Sequence, residues 1–313
     1  DRHRQRQQID GALAIIVHSG YFGELILGGS GSGNVALDVT LGIVNAGAIV
    51  IDNFDAAAAD AILTVGNPGI ANTGTITFSD TSGGGGQRVI EGSIDTANGT
   101  ITVNAGATID LAGGILNAVG GTIDLATATV LTVSDGQTVV DSDTYLSGTG
   151  TLDLAGTGSL TLTSDFTLDL GDPELTLSGA ITIEGSGSDI LTIGDGRSLT
   201  LDGDEVSGSV NLAVDGTLTI EGTGTQIAAP TTMVTITAPG FLSNNGGEIS
   251  VGAGATLVLD GVNIENAGII TGEGTIQLAN GADIAGEGVI DVAGVDNIGT
   301  LDITGGEVVF DTN

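Results

Sequence analysis

Residues 174–222 read ELTLSGAITIEGSGSDILTIGDGRSLTLDGDEVSGSVNLAVDGTLTIEG, and the pattern in this stretch decides the fold class. Short runs of alternating aliphatic and small polar residues are separated by Gly, Ser, Asp and Glu. The apolar positions recur with a period of two: Leu175 and Leu177, Ile181 and Ile183, Leu191 and Ile193, Leu199 and Leu201, Val210 and Leu212, Leu218 and Ile220. A period of two puts aliphatic side chains on one face of a strand and Thr, Ser or Asp on the other. New runs begin about every eight to ten residues, a spacing that suits an all-β sandwich, barrel or solenoid.

Outside this stretch the same grammar recurs with a signature turn, Ile-x-Asn-x-Gly-x-Ile. It occurs at Ile43, Asn45, Gly47 and Ile49, at Ile70, Asn72, Gly74 and Ile76, and at Ile264, Asn266, Gly268 and Ile270. Val295, Asn297, Gly299 and Leu301 keep the spacing, and Leu242, Asn244, Gly246 and Ile249 carry one extra residue. Sharp turns favour Gly or Asn for their tolerance of positive φ, and an Asn side chain can also bond backbone groups that the turn leaves unpaired. If the turns stack, the asparagines stack as a ladder, which is a structural role and not a ligand-binding one. A second phrase, Thr-Ile-x-Leu or Thr-Leu-x-Leu, appears at Thr108–Leu111, Thr122–Leu125, Thr151–Leu154 and Thr275–Leu278. Repetition of this kind predicts coils of two or three strands and roughly 17 to 25 residues, stacked as a solenoid. Two segments depart from the grammar. Asp55–Asp60 (DAAAAD) could form one helical turn, and residues 82–88 (SGGGGQR) read as the most flexible loop.

Composition agrees. Glycine makes up 55 of 313 residues without a Gly-X-Y triplet, which excludes collagen, and 40% hydrophobic residues are enough to bury a core. Aromatics are 3% and Trp is absent, so the interior must be filled by Ile, Leu, Val and Ala. There are 39 acidic residues against five basic ones, all five of them arginines, giving a formal net charge of −34. Arg2, Arg4 and Arg6 lie at the start, leaving Arg88 and Arg197 for the rest. Such a body repels nucleic acid and anionic headgroups and attracts cations. With no Cys there are no disulfides, and no run approaches the length of a membrane span. Residues 1–39 are atypical: the polar, basic residues 1–8 precede the apolar run Ala12–Val17, which is shorter than a signal-peptide core and reads as a processed start or a terminal segment leading into a first strand. The solenoid domain is expected over 40–313. Val308–Phe310 is still strand-like at the C-terminal end, which invites end-to-end stacking or marks a piece of a longer protein.

These phrases, together with Gly216–Gly222 (GTLTIEG), resemble the right-handed parallel β-helix repeats of large bacterial surface and secreted proteins, namely autotransporter passengers and filamentous-haemagglutinin-like adhesins. The resemblance covers roughly residues 40–313. It implies an all-β chain folded as a single-stranded right-handed parallel β-helix (β-solenoid), exported to the bacterial cell surface and used for adhesion, biofilm or fibre formation. The expected partners are other copies of the chain and a surface or carbohydrate receptor, with no nucleic acid and no membrane span. One finer likeness is to the calcium-binding nonapeptide Gly-Gly-x-Gly-x-Asp-x-Leu-x, at Glu184–Thr192, with Glu184 in place of the first Gly. It implies Asp189 as a calcium ligand, although the following unit has Ser198 where Asp belongs, with Arg197 beside it. Asp202, Asp204 and Glu205 form a denser acidic turn, as do Asp141 and Asp143, and calcium is the only cofactor these residues suggest.

Other functions find less in the sequence. Polysaccharide-cleaving β-helices need a carboxylate pair on a groove, and pairs such as Asp202 and Asp204 meet that need by count. Sugar rings, however, are held by Trp or Tyr faces and by Lys or Arg, and this chain has only Tyr21, Tyr145 and two arginines beyond residue 6. Both histidines, His3 and His18, fall in the first 18 residues, so no Ser-His pairing is credible, and no enzyme is expected. A calcium-dependent surface layer is a further alternative. Ice binding would need Thr-x-Thr pairs in a flat array. Thr75/Thr77, Thr100/Thr102, Thr161/Thr163 and Thr217/Thr219 supply such pairs, but at no constant interval.

Overall fold

The alternation of aliphatic and polar residues is expressed as parallel strands throughout the computed structural model. The structure describes residues 34–53, 58–169 and 172–185 continuously, and elsewhere chiefly the strands, from Gln7–Ile9 to Glu307–Phe310. The chain is all-β, a parallel β-solenoid, and among the described residues there is no helix. Accordingly, no described helix is long and apolar enough to cross a membrane. Ala58–Asp60 has no regular structure and leads into the strand Ala61–Val65, while residues 54–57 of the expected helical turn lie outside the described residues. The chain divides into two compact units, residues 1–153 with 171–173, and residues 154–170 with 174–313.

In the first unit each coil contributes three strands to three parallel ladders. One ladder stacks the start of Ile43–Asn53 with Ile70–Asn72, Ile94–Asp95, Ile115–Asn117 and Gln137–Val140. A second stacks Gly20–Gly29, the end of Ile43–Asn53, Thr75–Phe78, Thr100–Val103, Thr122–Leu125 and Tyr145–Gly148. The third runs through Val35–Val39, Ala61–Val65, Arg88–Glu91, Ala107–Asp110 and Val130–Ser134. Parallel strands joined through a turn and a further strand suit this geometry, because every backbone N–H and C=O that points along the stack finds the next coil.

The core is a set of vertical columns of like side chains. Leu25, Ile49, Ile76, Ile101, Ile123 and Leu146 stand in register and are all buried. So do Leu37, Leu63, Ile90, Ile109 and Val133. Stacking similar branched side chains fills a narrow interior without aromatic rings, each fully buried aliphatic contributing on the order of 1.5–3 kcal/mol. Successive members of the first column are 22 to 27 residues apart. In the second unit Phe166, Leu191, Leu212, Val234, Leu257, Ile276 and Val295 occupy successive register positions 19 to 25 residues apart. The coil is therefore constant in its strands and variable in its loops.

Candidate functional site

The Asn-x-Gly turns form the ladder that their sequence predicts. Asn45 and Asn72 are both buried, and the Asn45 amide donates to the Asn72 side-chain oxygen at 2.7 Å. The same Nδ2 reaches the Thr75 carbonyl at 3.0 Å, Asn72 Nδ2 reaches that of Thr100 at 3.3 Å, and Asn45 Oδ1 accepts from the Gly47 N–H at 3.2 Å. The amides thus bind backbone groups that the corner would otherwise bury unpaired, each worth about 1–3 kcal/mol if left so. The glycine of the phrase has a different role from the one its turn suggests. Gly74 does not adopt positive φ; a Cβ on it would collide with the Gly47 carbonyl of the coil below. Close approach of stacked turns excludes a side chain there. Positive φ falls instead on Asn98 of the Asn98-Gly99 echo, at 63°. Along the stack this corner loses polarity: Asn45, Asn72, Thr96, Ala118 and Val140 are all buried at successive levels.

Outward positions stack as well. In the third ladder Asp38, Thr64, Glu91, Asp110 and Ser134 form one column. Like charges directly opposite each other destabilise a sheet. Glu91 and Asp110 do stand opposite each other, but other acids of the outward columns face a hydroxyl or an amide on the adjacent coil. Thr64 Oγ1 donates to Glu91 at 2.7 Å, Ser147 Oγ to Asp124 at 2.8 Å, Asn117 Nδ2 to Asp95 at 3.1 Å and, in the second unit, Thr161 Oγ1 to Glu184 at 2.9 Å. These four acids are thus ordered into the surface by the neighbouring coil.

Among the described residues a dense polar cluster gathers around residues 79–88, which include the 82–88 segment that reads as the most flexible loop. Asp52 is buried and accepts from the Asn53 N–H at 2.7 Å, the Thr81 N–H at 2.9 Å and the Thr81 hydroxyl. Asn53 Nδ2 donates to the Gly85 carbonyl, and Asp80 accepts from the Gly85 N–H at 3.0 Å and from Ser82 Oγ at 3.3 Å. Arg88 is itself the first residue of the strand Arg88–Glu91. It is buried, its Nε donates to the Gly106 carbonyl at 3.1 Å, and its Nη1 lies 3.8 Å from Asp80. Burial pushes the Asp80 carboxyl up, but the Gly85 N–H, the Arg88 charge, the Gly83 N–H and the Ser82 hydroxyl together hold it below its usual value. The glycines make the loop's path accessible, with positive φ at Gly83, Gly85 and Gly86, and the side chains beneath fix it in place.

The residues singled out for calcium fall as follows. Asp189 is half-buried just before the strand Ile190–Ile193. Asp202 ends the strand Ser198–Asp202 and Glu205 begins Glu205–Val206, their side chains lying outside the described residues, as does Asp204 altogether. Asp141 closes its own turn, where its Oδ1 accepts from the Asp143 N–H and the Thr144 hydroxyl, each at 3.0 Å. Among the described residues no three His, Cys, Asp or Glu side chains are grouped to hold a metal ion. Set beside known proteins, the chain matches no family model, no curated protein and no solved structure.

Proposed function

We propose that the chain is an extracellular structural and adhesive repeat module of a bacterial surface protein, able to associate with further copies into fibres. The observation that supports this reading is the ordered exterior: outward acids that accept hydrogen bonds from hydroxyls and amides of the neighbouring coil, on a stack of parallel strands. A surface of that kind acts by shape, repetition and charge, without a catalytic step. It is tested by displaying the chain on a non-adherent bacterium through an unrelated outer-membrane anchor. Attachment to coated surfaces, or cell clumping, is expected to rise above that of cells displaying a globular control of matched charge. Equal attachment at verified display levels overturns the reading, and new reducing ends in a polysaccharide incubated with the purified chain would replace it by an enzyme.

Calcium belongs to the proposal through the acidic turns, those of Asp202, Asp204 and Glu205 and of Asp141 and Asp143 together with Asp189. A cation that binds the folded state and not the unfolded one raises stability by mass action. The melting temperature is expected to rise in millimolar calcium and to return on chelation, with magnesium giving a smaller shift because it gives up its water reluctantly. An unchanged melting temperature removes calcium from the account.

A further inference from the structure

In the second ladder of the first unit, the Thr-x-Thr pairs Thr75/Thr77 and Thr100/Thr102 stand on successive levels. Ala48, Thr75, Thr100, Thr122 and Tyr145 stand in one outward column. Val50, Thr77, Thr102, Asp124 and Ser147 stand in the next. Coils rise by about 4.8 Å and alternate residues of a strand are about 6.6 Å apart, so the outward positions form a grid, with about 14 Å between Thr75 and Tyr145. The loops absorb the differences in coil length, and the strands keep register.

Tyr145 is the second observation. It is 62% exposed, more than any other large hydrophobic side chain among the described residues, at the last level of this column in the first unit. The alternation of the strand turns it outward, because the interior position belongs to Leu146, and a ring stands there where the three preceding levels carry threonine. An exposed aromatic ring with a polar tip offers an apolar face for stacking, and the threonines beside it offer hydroxyls that both donate and accept. Asp124, in the neighbouring column and one level below Ser147, adds a fixed acceptor. The rungs at Thr75 and Thr100 carry no charge, which sets this strip apart from the acidic third ladder, while the net charge of −34 on the whole chain repels anionic partners.

We infer that this strip, with Tyr145 as its stacking platform and Thr122, Thr100 and Thr75 as its hydroxyl rungs, binds an uncharged linear polysaccharide lying along the column. The inference rests on the adhesive reading and names its ligand class. A sugar ring stacks on Tyr145 while hydroxyls of the following rings exchange hydrogen bonds with the threonines.

The test is affinity electrophoresis of the purified chain through gels containing hydroxyethylcellulose or dextran, with polygalacturonate as the anionic control. The wild-type chain is expected to be retarded by at least one neutral polymer and not by polygalacturonate. Tyr145→Ala is expected to lose at least three-quarters of that retardation, Tyr145→Phe to keep most of it, and Thr100→Val to weaken it. Both positions face outward, so melting temperatures close to wild type show that the fold is intact. No retardation by either neutral polymer, or retardation equal in wild type and Tyr145→Ala, overturns the inference. If displayed cells still adhere while the gels show nothing, the strip is refuted and the adhesive reading stands; if neither is seen, both fall.

Discussion

Ile101→Ala is expected to cost about 3 kcal/mol, within the range of about 2–5 kcal/mol found for large-to-alanine changes in close-packed cores. Ile101 is fully buried in the second ladder, with Ile76 on one side of its column and Ile123 on the other. Removing its outer carbons leaves a void that the neighbours can fill only by leaving their own register positions, which the backbone ladder fixes coil by coil. Ile101→Val removes one methylene and keeps the β-branch, and is expected to cost about 1 kcal/mol. A stacked array also distributes damage unevenly, because each repeat touches only its neighbours. Amide hydrogen exchange should therefore show the largest loss of protection at Thr75–Phe78, Thr100–Val103 and Thr122–Leu125, and a smaller one at Val35–Val39. Uniform loss across these strands would mean that the unit opens as a whole, and the column would then not be the unit of stability.

The columns were legible in the sequence because a period of two and a recurring Asn-x-Gly leave little choice. Leu191 and Ile193 are buried with Thr192 half-exposed between them, as the alternation in that stretch predicts, and Asn45 and Asn72 bond each other as the repeated phrase predicts. Alignment between coils was not legible. Thr75, Thr100 and Thr122 are unevenly spaced along the chain, and only the structure shows that the loops take up the difference. The cluster at residues 79–88 was missed for a related reason. Ile51-Asp52 and Ile109-Asp110 are the same dipeptide in buried-then-outward strand positions, yet Asp110 stands half-exposed and Asp52 is buried. What separates them is the loop that begins at Ser79 and closes over one of them. Four consecutive glycines read as slack. The hydrogen bonds that tighten them come from Asp52 and Asn53, about thirty residues earlier, and local patterning carries no trace of that pairing.

Asp52 is accordingly the residue whose substitution should separate charge from geometry. Its Oδ1 takes both backbone donors, Asn53 N–H and Thr81 N–H, and its Oδ2 takes the Thr81 hydroxyl. Asp52→Ala removes the two oxygens that accept these three hydrogen bonds. At about 0.5–1.5 kcal/mol for each of the three hydrogen bonds lost, the expected cost is about 2–3 kcal/mol. Asp52→Asn has the same shape. Its Oδ1 can keep both backbone bonds, and its Nδ2 can donate to a Thr81 hydroxyl that has turned to accept. The expected cost is therefore below about 1.5 kcal/mol, and in a chain of net charge −34 the lost negative charge works in its favour. Urea unfolding of the two variants measures the difference, and limited proteolysis at residues 82–87 reports the loop directly. Asp52→Ala should be cut there far faster than wild type, and Asp52→Asn at close to the wild-type rate. If the two variants are destabilised equally, the carboxylate's charge, and not its acceptor geometry, holds the loop. If neither is cut faster, Asp80 and Arg88 hold it without Asp52.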